Sequence, residues 1–248
     1  MDIESYELFS RQTPYIGLAR QEALSKAKVA VVGAGGLGSL VSSMLVRTGA
    51  GVVRIIDRDL VEKSNLPRTA LYDRADVGKA KAFVAGERLG NINPESRVEG
   101  KVETLNDFNA EDLLTGFNVV VDCSDNMDTR YVINKFCFRN GIPWVYGTAL
   151  KDEGFSSTFA PSGKPCFACL YPNKTRKTEK TSEAGVIAPV VAMVASWQVM
   201  EAIKILTGIS EPNYSRLFRI KLERPGFELL NIKTNEDCEI CAKRIRRL

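Results

Sequence analysis

The stretch KVAVVGAGGLGS, residues 28–39, constrains this chain more than any other. A β-branched run enters a turn with Gly33, Gly35 and Gly38 in G-x-G-x-x-G spacing, and a helical pattern follows. Glycines at these positions let the backbone turn tightly and approach a phosphate, while the helix N-terminus offers N–H groups and partial positive charge. Asp57 closes the next strand candidate about 20 residues further on, where an acid can hold a ribose. A bare βα turn, a nicotinamide or flavin site, and an ATP site all fit these residues taken alone.

The rest of the first 150 residues repeats the alternation. KVAVVG, GVVRIID, SRVEGKVE, FNVVVDC and IPWVYGT read as strands; GSLVSSMLVRTG, GKAKAFVAGERLGNI, NAEDLLTG and MDTRYVINKFCFRNG read as helices ending at Gly or Asn. Strands alternating with helices predict βαβ units, and the unbroken Val/Ile runs predict strands buried on both faces. The expected fold is therefore α/β: a Rossmann-like, mostly parallel sheet with helices on both faces. Beyond residue 150 the texture becomes turn-rich, with a polar stretch over 172–185, an apolar helix from Val186, and YSRLFRIKL and FELLNIK as an antiparallel pair. The polar stretch reads as a mobile loop near 172–184. With 44% hydrophobic and 26% charged residues, the chain has the composition of an ordinary globular enzyme.

Charge and compartment exclude several classes. The net charge is only +4, and no basic stripe interleaved with aromatics suggests nucleic-acid binding. The start, MDIESYELFSRQ, shows no basic region followed by an apolar run, so a cytoplasmic, reducing location is expected. The apolar run from Val186 to Met200 is 15 residues long and contains Pro189. A bilayer span needs about 20, so a buried or dimer-facing helix is expected and no membrane contact. The chain contains no histidine, which removes histidine bases, histidine metal ligands and Ser-His-Asp chemistry together.

The segment DRDLVEKSNLPRTALY places Asp57, Asp59, Ser64, Asn65 and Arg68 within 12 residues, followed by Lys79 and Lys81. Asn65, Arg68 and Lys81 are donors suited to a triphosphate, a cluster for which a dehydrogenase has no use. DCSDNMDTR follows the fourth strand at the carboxyl edge of the sheet, where open α/β folds bind ligands. Asp125 in it is a candidate Mg²⁺ ligand. Without histidine, a reaction whose nucleophile is already ionised is favoured. A carboxylate attacking the α-phosphate of ATP needs positioning and charge neutralisation but no base.

Four of the six cysteines form two C-x-x-C knuckles, Cys166/Cys169 and Cys238/Cys241, 68 residues apart. Paired knuckles in a reducing compartment point to a structural Cys₄ zinc site, with a redox pair or iron–sulfur cluster as the other chemistries this spacing serves. Cys123 and Cys137 read as buried core thiols.

Together these motifs resemble the ubiquitin-activating-like adenylyltransferases, the group of the molybdopterin-synthase (MoeB) and thiamine-biosynthesis (ThiF) activating enzymes. The resemblance runs from SRQ to the last C-x-x-C. It implies that Gly33, Gly35, Gly36 and Gly38 hold ATP, that Asp57 binds its ribose, and that Asn65 and Arg68 contact phosphates. Asp59, Ser64 and Asn126 belong to the same motifs. The family lysine falls on Lys81, its magnesium-binding acid on Asp125, and the arginine that reaches the partner subunit's ATP on Arg11. A homodimer with shared sites, a Cys₄ zinc and a small ubiquitin-like or sulfur-carrier partner ending in Gly-Gly are implied. Residues 1–150 would be the nucleotide-binding part and 151–248 the carrier-binding, zinc-bearing part of one domain. Sulfur-transferring and ubiquitin-conjugating members carry a cysteine just before EAG; here Thr181 stands there, so an enzyme that stops at the acyl-adenylate is expected. The chain closes at Leu248 without a rhodanese-like domain, so any sulfur would come from a separate protein. A tRNA-modification dehydratase of the same superfamily and an NAD-dependent oxidoreductase are the alternatives.

Overall fold

The computed structural model describes residues 7–161, 163–172, 184–223 and 226–242. One eight-stranded sheet runs through them in the order β3-β2-β1-β4-β5-β6-β7-β8. Its strands are β1 (Lys28–Val32), β2 (Val52–Ile56), β3 (Arg97–Lys101), β4 (Val119–Asp122), β5 (Trp144–Leu150), β6 (Glu153–Phe159), β7 (Arg216–Lys221) and β8 (Phe227–Asn231). The first five are parallel; β6, β7 and β8 join antiparallel. The main helices are α1 (Leu18–Lys26), α2 (Gly36–Arg47), α3 (Lys81–Gly90), α4 (Ala110–Leu114), α5 (Met127–Asn140) and α6 (Ala188–Thr207).

The mostly parallel sheet with an antiparallel C-terminal segment agrees with the sequence expectation, and the reason is visible in the core. Val29 and Val31 of β1 pack with Val41 and Leu45 of α2, Val84 of α3 and Val194 of α6. Ala30 and Val32, one residue out of phase, pack with Leu113 of α4 and Ile133 and Phe136 of α5. Alternate residues thus feed cores on opposite faces, so these strands read as continuous apolar runs.

Besides short turns and single-turn helices, two longer elements were not expected from the sequence. The strand Glu153–Phe159 lies where turns were expected, and it pairs with β5 along seven residues. The polar helix Leu18–Lys26 precedes β1. The apolar run from Val186 extends into the 20-residue α6, which has the length and composition of a membrane span. It packs instead on β4, β5, β6 and α2. It buries Gln198 and Glu201, whose polar atoms are taken up within the fold.

Candidate nucleotide site and cysteine centre

The chain order reverses between β1 and β4, and the loops leaving these two strands meet at the carboxyl edge. This is where ligands of open α/β sheets bind. Gly33 has φ +97°, and a Cβ there would lie 2.6 Å from the Cys123 carbonyl oxygen. A Cβ on Gly38 would lie 1.8 Å from the Gly33 carbonyl oxygen. These two glycines are demanded by the packing of turn, helix and neighbouring strand. Gly35 is different: a Cβ added to it meets nothing within 4 Å, so its backbone borders open space at the start of α2. A Cβ on Gly36 would come within 3.1 Å of Val191 on α6.

The turn is held by its neighbours. Asp57 accepts the Ala34 N–H on Oδ2 at 2.6 Å and the Asp59 N–H on Oδ1 at 2.7 Å. Burial pushes its carboxyl above the ordinary value, with Lys81 and the two N–H groups opposing the shift. On the other side of Ala34, the Tyr72 hydroxyl donates to its carbonyl oxygen at 2.8 Å. Tyr72 closes the DRDLVEKSNLPRTALY segment, but no spacing marks it as part of the turn's support. Lys81, buried at the start of α3, has Nζ 3.2 Å from Asp59 Oδ2, and its N–H donates to the Asp59 carbonyl oxygen at 2.9 Å.

The SNLPR segment forms a 3₁₀ turn, Lys63–Arg68. Asn65 is buried, and its Oδ1 accepts the Glu62 N–H at 3.1 Å while Ser64 Oγ donates to Glu62 Oε2. Half-buried Arg68 donates to the Ser64 carbonyl oxygen at 2.6 Å, and its stem lies beside Gly36. After β4, Asp125 and Asn126 are exposed. Asn126 caps α5 by accepting the Thr129 N–H at 2.9 Å.

Gly33, Gly35, Gly36, Gly38, Asp57, Asp59 and Lys81 are therefore linked at one edge, with Arg68 beside Gly36 and the Asp125 loop beside Gly33. Arg11 is not brought to them. Its neighbours Phe9 and Gln12 dock on Gly49 and Thr48 at the far end of α2. The 12-residue helix places that end about 18 Å from the glycine turn. Thr181 and residues 173–183 lie outside the described residues.

The Asp125 loop is supported by Asp122 and Arg130, the two ends of DCSDNMDTR, in roles that no spacing marks. Asp122, fully buried, accepts the Ser124 N–H at 3.0 Å and its hydroxyl at 2.6 Å on Oδ1. Its Oδ2 sits 3.3 Å from Arg130 Nε, an ion pair not aligned as a hydrogen bond. Burial raises the Asp122 carboxyl despite that charge.

The four knuckle cysteines converge, their sulfurs all within 4.8 Å of one another. Cys166 and Cys238 are 3.6 Å apart and Cys169 and Cys241 3.3 Å. A tetrahedral Zn²⁺ with bonds of about 2.3 Å would set its sulfurs about 3.8 Å apart, so the cluster can hold such an ion. Asn134 on α5 approaches the Cys166 sulfur with Nδ2 at 3.6 Å while its Oδ1 accepts the Phe167 N–H at 3.0 Å. Cys123 and Cys137 are buried elsewhere.

The ThiF family model matches residues 9–240. The chain belongs to the ThiF family. A sulfur carrier protein adenylyltransferase of Thermus thermophilus is 38% identical over 96% of this chain and 91% of its own length. The molybdopterin-synthase adenylyltransferase of Escherichia coli is 34% identical over 90% of each chain. Among solved structures, E. coli MccB with MccA matches this ThiF-family chain with a TM-score of 0.85 and 25% identity, over 98% of this chain and 75% of that one. The family resemblance read from the motifs agrees with these matches.

Proposed function

We propose that this chain is an ATP-dependent adenylyltransferase acting on the C-terminal Gly-Gly carboxylate of a small ubiquitin-like or sulfur-carrier protein. The products are protein-acyl-AMP and pyrophosphate. The observation that carries the reading is the linked edge: a glycine turn clamped by Asp57, with Lys81 and Arg68 at its rim and the Asp125 loop facing it across the strand reversal. The adenylyltransferase names of relatives that align along nearly the whole chain support it.

In this reading the glycine turn and the first N–H groups of α2 hold the phosphates, and Asp57 turns to the ribose. Ser64, Asn65 and Arg68 line the phosphate side with Lys81, which Asp59 steadies, and Arg11 reaches in from a second copy of the chain in a homodimer. Its distance from the turn of its own chain supports that assignment. The carrier's terminal carboxylate is ionised at neutral pH and needs no base. Its oxygen bonds to the α-phosphorus, and the bond from that phosphorus to the bridging oxygen breaks, releasing pyrophosphate. Asp125, with Asn126 beside it, would hold Mg²⁺, which supplies neutralising charge to the phosphates when bound. Cys166, Cys169, Cys238 and Cys241 would hold Zn²⁺ and fasten the carrier-binding part of residues 151–248 to the nucleotide part of residues 1–150. A cytoplasmic location and a separate sulfur donor complete the reading.

The test is carrier-dependent exchange of labelled pyrophosphate into ATP. Exchange is expected with one Gly-Gly carrier of the same organism and is abolished by Asp125→Ala. No exchange with any such carrier would refute the proposal.

A further inference from the structure

We propose that Arg130 is a positioning residue that fixes the loop presenting Asp125, an inference that rests on the adenylyltransferase reading for its kinetic consequence but not for its structural one. Asp125 itself is exposed, and an exposed acid on a short loop is useful to a metal and a triphosphate only if its backbone is held. The peptide units around it are held on both sides. On the C-terminal side Asn126 caps α5. On the N-terminal side both backbone groups of Ser124 are committed: its N–H goes to Asp122 Oδ1 at 3.0 Å, and its carbonyl oxygen accepts from Arg130 Nη2 at 2.7 Å.

Arg130 is itself immobilised. Only 4% of its surface is exposed. Its Nε pairs with Asp122 at 3.3 Å and its guanidinium lies 5.1 Å above the Tyr146 ring. Gln198 anchors Asp122 from behind, its Nε2 donating to the Asp122 carbonyl oxygen at 2.7 Å. A buried ion pair is weak as a source of stability, since well-packed apolar residues often do as well. What this pair does that apolar residues could not is hold both peptide units that flank Ser124 at once, Asp122 accepting from its N–H and Arg130 donating to its carbonyl oxygen. The planar fork of arginine reaches Asp122 and Ser124 together; a lysine ammonium is a single point on a flexible stem and does not span both.

The experiment compares wild type with Arg130→Lys, which keeps the charge opposite Asp122. Amide hydrogen exchange of the peptide covering Cys123–Met127 is expected to be at least tenfold faster in the variant, with the β1 peptide unchanged. In pyrophosphate exchange, the Mg²⁺ concentration giving half-maximal rate is expected to rise at least fivefold, while protection of the glycine turn by ATP persists. Should Arg130→Lys not fold, the double variant Asp122→Asn/Arg130→Met removes both charges together and is expected to show the same loop exchange. Wild-type protection at Cys123–Met127 in a folded variant overturns the proposal, as does an unchanged Mg²⁺ dependence. If wild type shows no pyrophosphate exchange with any carrier, the adenylation reading fails, and the amide measurement still decides whether Arg130 holds the loop.

Discussion

Gly35 and Gly38 are one motif in the sequence and two different constraints in the fold, so alanine at each should fail differently. At Gly38 a Cβ would stand 1.8 Å from the Gly33 carbonyl oxygen, and turn and helix must separate to admit it. Overpacking of this kind costs about 1–3 kcal/mol, or about 2–12 °C of melting temperature at ~2–4 °C per kcal/mol for a chain of this size. At Gly35 φ is −78° and a Cβ meets nothing within 4 Å, so Gly35→Ala should stay within about 1 kcal/mol of wild type. Its effect falls on the ligand. At a hundredfold excess over Kd, ATP–Mg²⁺ stabilises the native state by about 2.7 kcal/mol, a rise of about 5–10 °C. A Cβ standing where the phosphates approach, with affinity lowered about a hundredfold, leaves about 0.4 kcal/mol and a rise of only ~1–2 °C at the same concentration. Thermal melts of the two variants with and without ATP–Mg²⁺ read both numbers. A Gly35→Ala protein with the full ligand shift would show that the phosphates do not lie over this peptide. A Gly38→Ala protein as stable as wild type would show slack that the helix–turn contact does not have here.

Metal removal should act at the C-terminal segment: stripping the cysteine centre with a strong chelator is expected to lower the melting temperature and open the chain around Cys238 and Cys241 to protease, with β1–β4 protected longest. Protein isolated without bound metal, with an unchanged melt after chelation, would contradict a structural ion. The pH dependence of stability should change in Asp57→Asn. Asp57 has a folded-state pKa raised above its ordinary 3.8, mainly by burial. Its contribution is complete below that ordinary value and is lost as pH rises through the raised one. Relative to Asp57→Asn, wild type should therefore lose stability from about pH 4 upward until Asp57 is ionised, as read from urea midpoints. A wild type that instead gains stability over that window would reverse the assignment.

What the sequence made legible follows from how locally each feature is determined. The parallel strands announced themselves because helices cover both faces, leaving Val119, Val120 and Val121 of β4 fully buried. The cysteine set was legible because knuckle spacing is a local property of metal chelation. The strand Glu153–Phe159 was hidden because Ser156, Ser157 and Thr158 look like a turn yet are all buried. Ser156 donates to the Tyr146 carbonyl oxygen and Thr158 to Glu201 on α6, partners that only the folded chain supplies. The polar helix Leu18–Lys26 was hidden for a similar reason. Its Gln21 is fully buried, accepting from Gln12 and donating to the Thr48 carbonyl oxygen. Tyr72 and Arg130 close two of the motif segments and Asn134 lies in the helix that follows the second, but no spacing marks any of them; each matters through a tertiary contact.

Helix α5 joins the two candidate sites, and its register explains how. Asn126, Arg130 and Asn134 follow at intervals of four, which places them along one side of the helix and at its cap. The first caps the helix, the second holds the Ser124 carbonyl oxygen, and the third contacts Cys166 and Phe167. The N-terminus of α5 therefore carries the Asp125 loop while its second and third turns are pinned, through buried polar contacts, to the ion pair and the cysteine centre. The C-terminal residues are thus more than an appendage to the nucleotide-binding half: Cys238 and Cys241 close a cluster whose other members rest on the helix that presents Asp125. A glycine turn alone would serve any dinucleotide or nucleotide; in the proposed reading, what narrows the chemistry is that the acid opposite it sits on the loop leading into a helix pinned at its cap and through its second and third turns.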